Sequence, residues 1–123
     1  MEDSGGVRRR VAVWPYAFVD VCERSGTLVV RVEGEVDIAN VARVERAAMD
    51  AIALTRPHAL ILDLEPLEYL DGAGRSWIHR LGERLAVSGI GVEIRRPLAG
   101  GAARIFELVW PASDVTATVD CGA

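Results

Sequence analysis

Apolar residues recur along the chain with two different spacings, and the places where one gives way to the other mark its elements. From Tyr16 to Glu23, Phe18, Val19, Val21 and Cys22 predict a strand. Ser25-Gly26 then predicts a tight turn into Thr27 to Glu33, where Leu28, Val30 and Val32 alternate with Val29 and Arg31. After Gly34 the spacing lengthens to three and four: Val41, Val44, Ala48, Ala51 and Ile52 form one stripe of a helix that Pro57 ends, with Asp37 or Asn40 as the cap of its free amides. Ala59 to Leu64 is nearly all apolar and short, as expected of a strand in the middle of a sheet.

A second amphipathic helix is predicted from Gly72 to Ser88, burying Gly74, Trp77, Ile78, Leu81 and Leu85 and stopped by Gly89. Ile90 to Arg95 reads as a strand, and Ala102 to Trp110 as a third helix closed by Pro111. A last short strand is expected over Val115 to Val119. The predicted fold class is α/β, with a mixed four- to five-stranded β-sheet and helices mainly on one face. Residues 1–10 show no periodicity and are expected to be a disordered N-terminal segment, residues 11–120 to form one domain, and residues 121–123 a tail.

Composition narrows the function classes. Half of the 123 residues are hydrophobic, enough for a core without metal or disulfide support. The net charge of −4 opposes binding to a phosphate backbone, so no nucleic-acid partner is expected. No apolar run approaches the roughly 20 residues of a membrane span, so no direct membrane insertion and a cytoplasmic location are expected. Cys22 and Cys121 are not paired by any recognisable spacing and are expected to be reduced thiols.

Catalytic chemistry finds little support. Asp37, Asp63 and Asp71 could converge as a carboxylate cluster, but aspartates at element ends more often satisfy loose amides. His58 and His79 have no ligand partner near in sequence, so no metal is expected. Ala99-Gly100-Gly101-Ala102 lacks the spacing and lysine of a phosphate loop. The expectation is a protein that is not an enzyme and needs no cofactor. Trp77 belongs to the buried stripe, while Trp14 and Trp110 stand at element ends, where exposure would suit an interface.

Gly34-Glu35-Val36-Asp37, the strand Leu60 to Leu64 with Asp63, and Leu70-Asp71-Gly72-Ala73-Gly74 resemble, in that order, the signatures of the STAS family of anti-sigma-factor antagonists. The resemblance implies a regulatory module that docks a serine-kinase-type anti-sigma factor by partner switching. The implied partner-binding residues are Asp37, Asp71, Gly72, Ala73, Gly74, Arg75, Ser76, His79 and Arg80. In the family a serine follows the aspartate and its phosphorylation releases the partner. Here that position is Gly72, the next is Ala73, and Arg75 replaces the usual leucine, so no phosphorylation is expected at Gly72. Ser76 is the next hydroxyl on the same face, although an ordinary surface serine is the better account of it. The alternative implied by the resemblance is a STAS-like cytoplasmic subunit of a lipid ABC transport system. Monomer and homodimer are both compatible with the sequence.

Overall fold

The computed structural model describes residues 7–109, with side chains described for 8–106. Six strands and three helices follow in the order β1 (Val7–Val13), β2 (Ala17–Arg24), β3 (Thr27–Val36), α1 (Val41–Thr55), β4 (Ala59–Asp63), β5 (Leu67–Leu70), α2 (Gly72–Val87), β6 (Gly91–Arg95) and α3 (Gly100–Val109). The strands form one mixed sheet in the order β1-β2-β3-β4-β6, with β5 continuing alongside the far end of β3. β1, β2 and β3 are antiparallel, and the remaining pairings are parallel. Trp110, Pro111, Cys121 and the strand expected over Val115 to Val119 lie outside the described residues.

Two of the six strands, β1 and β5, are not among those expected from sequence. β1 begins at Val7, ahead of the expected start near Val11, and pairs along its whole length with β2, from Val7 opposite Glu23 to Val13 opposite Ala17. Arg10 faces Asp20 at 2.7 Å, and its guanidinium lies 4.1 Å from the centre of the Phe18 ring. The run Arg8-Arg9-Arg10, inside the segment expected to be disordered, is thus half of a cross-strand pairing whose other half lies on β2. β5 arises because β3 is ten residues long, whereas β4 covers only its first half. Beyond a register shift at Gly34 and Glu35, Leu67 to Leu70 takes over as the neighbour of β3.

The turns follow from local chemistry. Ser25 and Gly26 both have positive φ, the requirement of the two-residue turn that matches strand twist. At the end of α2, Gly89 is left-handed, Ile90 N–H donates to Leu85 O at 2.8 Å and Gly89 N–H to Ala86 O at 3.1 Å. These two bonds satisfy carbonyls that the last turn would leave open.

One face of the sheet is apolar: Val19, Val21, Val30, Val32, Leu60 and Leu62 pack against Val44, Ala48 and Ile52 of α1 and Trp77, Ile78, Leu81 and Leu85 of α2. Each such side chain fully removed from water contributes about 1.5–3 kcal/mol. Glu45 of α1 binds Arg80 and Arg84 of α2, each at 3.3 Å, and fixes the two helices side by side. α3 packs on β5 and adds Ala102 and Phe106 to the same core. Trp77 is fully buried, and its indole N–H has no hydrogen-bond partner.

The opposite face carries a row of alternating charge. Arg10, Asp20, Arg31, Asp63 and Arg95 stand in register across β1, β2, β3, β4 and β6. Asp63 is fully buried and is held by Arg31 at 3.0 Å and Arg95 at 3.6 Å. The hydrogen bond to Asp63 raises the Arg31 pKa above the ordinary guanidinium value against the cost of its partial burial, with Asp63, Asp20 and Glu65 adding attraction. Cys22, on this face, is disulfide-linked instead of the reduced thiol expected. Spacing carries no information on such a bond, which depends on where the chain returns in space.

Candidate docking surface

Asp71 organises the start of α2 with both carboxylate oxygens. Oδ1 accepts from Gly74 N–H at 3.0 Å, which makes Asp71 the cap expected from sequence. Oδ2 accepts from Ile38 N–H at 3.0 Å, a bond to the β3–α1 loop that the sequence did not indicate. A single side chain therefore fixes the head of α2 against residues 37–40.

That loop has a second organiser. Asn40 occupies the cap position of α1, yet its side chain makes no capping bond, contrary to one of the two expected caps. Its amide instead donates to Pro15 O at 2.6 Å and Glu35 O at 2.8 Å, and its Oδ1 accepts from Asp37 N–H at 3.0 Å. The free amides at this helix start turn back on the loop: Asn40 N–H and Val41 N–H donate to Asp37 O at 3.1 and 2.9 Å. The Asp37 carboxylate accepts from Ala39 N–H at 2.9 Å. Asn40 is almost completely buried, so its three bonds replace water for groups that would otherwise stay unpaired. Arg43 adds a further tie, donating to Trp14 O at 3.1 Å and Ala39 O at 3.3 Å. Glu35 N–H donates to Tyr16 O at 3.0 Å, which brings the β1–β2 turn into the same assembly.

The residues expected to meet a partner divide by exposure. Gly72, Ser76, His79 and Arg80 are exposed on one stripe of α2, one helical turn apart. Asp37, Asp71, Ala73 and Arg75 are half-buried beside it. Gly74 is buried, and a Cβ there would lie 2.4 Å from Leu70 Cδ1 and 3.2 Å from Val36 Cγ1. Its role is to let α2 approach the sheet closely. Gly72 is different: a Cβ there would meet only Arg75 Nη2 at 3.5 Å. Arg80 is also engaged with Glu45, so part of its charge is spent within the chain.

Three exposed apolar side chains stand on the two loops tied to this helix start. Ile38 is 77% exposed, Trp14 72% and Tyr16 69%, and the rings of Trp14 and Tyr16 lie 5.9 Å apart. Trp14 stands in sequence at an element end, where exposure would suit an interface, although edge packing is the default expectation for it. The signal for Ile38 was an isoleucine in an otherwise small and polar loop between Asp37 and Asn40. Tyr16 reads in sequence only as the start of a strand, and in the structure it is a left-handed turn residue.

The carboxylates do not converge. Asp63 belongs to the ionic row on the far side of the sheet, whereas Asp37 accepts from the Ala39 amide and Asp71 from those of Ile38 and Gly74. Among the described residues no group of three or more His, Cys, Asp or Glu side chains could hold a metal ion. At the start of α3, Gly100 packs on Glu68 O, and Glu33, Glu65 and Glu68 line the adjoining recess, a setting that repels phosphate. No helix among the described residues is long and apolar enough to cross a membrane.

The sequence profile of the STAS domain matches residues 18–108. Solved structures agree. An anti-sigma factor antagonist from Mycobacterium paratuberculosis is 27% identical with a TM-score of 0.64, over 75% of this chain and 76% of that one. Mglu is 25% identical with a TM-score of 0.54 over 65% of this chain, which spans only 20% of that protein. The anti-sigma factor antagonist SpoIIAA in its unphosphorylated form is 21% identical with a TM-score of 0.54, over 85% and 82% of the two chains, a likeness of fold. With β3, its loop and the head of α2 arranged as described and the profile covering most of its length, the chain belongs to the STAS domain family and is similar to an anti-sigma factor antagonist of that fold.

Proposed function

We propose that this chain docks a serine-kinase-type anti-sigma factor through the outer stripe of α2 and the β3–α1 loop, and that it does so without a phosphorylation switch at the usual position. The observation that carries the reading is the double bond-acceptor role of Asp71, which sets exposed Gly72 beside exposed Ile38 on one continuous surface. Trp14 and Tyr16 extend it with aromatic area of the kind that dominates binding energy when covered. Function then rests on occupancy of the partner, and no residue of the chain is required to do chemistry.

Gly72 offers no hydroxyl, so a kinase partner has nothing to modify there and release must come from competition or concentration. The backbone at Gly72 nevertheless tolerates a side chain, because the nearest atom to an added Cβ is a flexible guanidinium nitrogen. Substitution Gly72→Ser therefore introduces a hydroxyl without rebuilding the helix start.

The test uses the full chain and a kinase-type anti-sigma factor from the same genome, with binding followed by calorimetry and intact mass after incubation with ATP. The unmodified chain is expected to bind equally well before and after ATP, with no mass gain at Ser76 or elsewhere. Gly72→Ser is expected to gain one phosphate and lose at least tenfold in affinity, since about two negative charges appear at the contact. Ile38→Asp is expected to weaken binding at least tenfold with the fold intact. Binding that survives Ile38→Asp unchanged, or phosphorylation and release of the unmodified chain, overturns the reading.

A further inference from the structure

We propose that the groove between β1 and α1 is a binding site for a single long-chain carboxylate, separate from the docking surface. The groove has a volume of about 560 Å³ and opens along the outer edge of the sheet. Its accessible apolar walls are Val11 on the sheet side and Leu54 on the helix side, over a floor formed by the buried Val13, Val21, Leu28 and Ala51. It exists because the larger apolar residues of α1, Val44 and Ile52, point to the centre of the sheet, while the flank toward β1 carries Ala42, Ala47 and Ala51. Small side chains there leave a wedge that no other helix among the described residues fills. Leu54 is left 67% exposed within it, an apolar surface that water covers at a cost.

Size and charge select the occupant. At about 560 Å³ the groove lies within the usual range of small-molecule sites and matches the scale of one extended amphiphile. Its rim holds Arg9, Arg43 and Arg46 against the one carboxylate of Asp50, an excess of positive charge in a chain whose net charge is −4. Arg43 is committed to Trp14 O and Ala39 O, but Arg9 and Arg46 have no carboxylate within ion-pair distance among the described residues. Two planar guanidiniums beside an apolar slot match a carboxylate at the end of a hydrocarbon chain.

The experiment titrates the full chain with oleate below its micelle concentration, with oleyl alcohol as the uncharged counterpart, and follows binding by calorimetry. One saturable site for oleate is expected, with oleyl alcohol at least tenfold weaker. Ala47→Phe, which fills the wedge, is expected to lower oleate affinity at least tenfold. Arg46→Glu, a surface change that leaves the core untouched, is expected to lower it at least fivefold and to narrow the gap between oleate and the alcohol. Absence of saturable oleate binding, equal affinity for the two probes, or unchanged affinity in a folded Arg46→Glu variant overturns the proposal. None of these outcomes depends on the anti-sigma partner.

Discussion

Two polar networks hold this chain in shape, and they differ in what they join. Beneath the proposed docking surface, Asn40 and Asp71 connect loops to one another through neutral backbone groups: Pro15 O, Glu35 O, and the amides of Asp37, Ile38 and Gly74. Across the outer face of the sheet, charged side chains join strands that are already paired by their backbones. In the first network each lost bond leaves a backbone group without a partner and a loop without a fixed course. In the second, most members are half-exposed and return to water when a partner is removed, so the sheet keeps its register. Asp63 is the exception, since burial denies it that alternative.

The largest loss of stability is expected for Asn40→Ala, which removes three bonds from a buried position. At about 1 kcal/mol or more for each unsatisfied group, urea unfolding should report a loss on the order of 3 kcal/mol. Arg31→Ala should cost about 2 kcal/mol, less than for a fully buried pair because Arg31 is partly exposed and Arg95 still faces Asp63. The sign of its pH dependence is set by Arg31: a folded pKa raised above the ordinary value gives stability that is present below that value and lost only as pH rises past the folded one. The Arg31→Ala deficit should therefore be the same at pH 6 and pH 9.

Gly74→Ala should cost about 1–2 kcal/mol, the strain of a Cβ at 2.4 Å from Leu70 Cδ1 exceeding the gain in helix propensity. Gly72→Ala, two residues earlier, should be neutral or slightly stabilising. Among the substitutions expected to destabilise, the smallest loss is that of Arg10→Ala, below about 1 kcal/mol and shrinking at 1 M salt, where charges are screened within ~3 Å. A loss at Arg10 that rivals the one at Asn40 would erase the distinction between the two networks.

The parts of this architecture that depend on neighbours in sequence were legible there. The stripes of α1 and α2, the Ser25-Gly26 turn, the apolar β4 and the cap by Asp71 all follow from residues within a few positions of each other. What was hidden depends on partners far along the chain. Arg8-Arg9-Arg10 looks like a solvated tail until Asp20 is placed opposite, and Leu67 to Leu70 is too short to register as a strand before β3 is known to outrun β4. Asn40 looked like a cap because caps are what asparagines before helices usually are, and nothing local shows Pro15 O and Glu35 O converging on its amide. The pairing of Asp71 with Ile38 N–H likewise spans two elements.

The burial of the Asn40 amide has a consequence for evolution as well as for binding. Because the β1–β2 turn and the β3–α1 loop share that one clamp, their outline is set before any visitor arrives, and little motion has to be frozen when one does. On the proposed docking surface, the tips at positions 14, 16 and 38 can be exchanged while the frame beneath stays as it is.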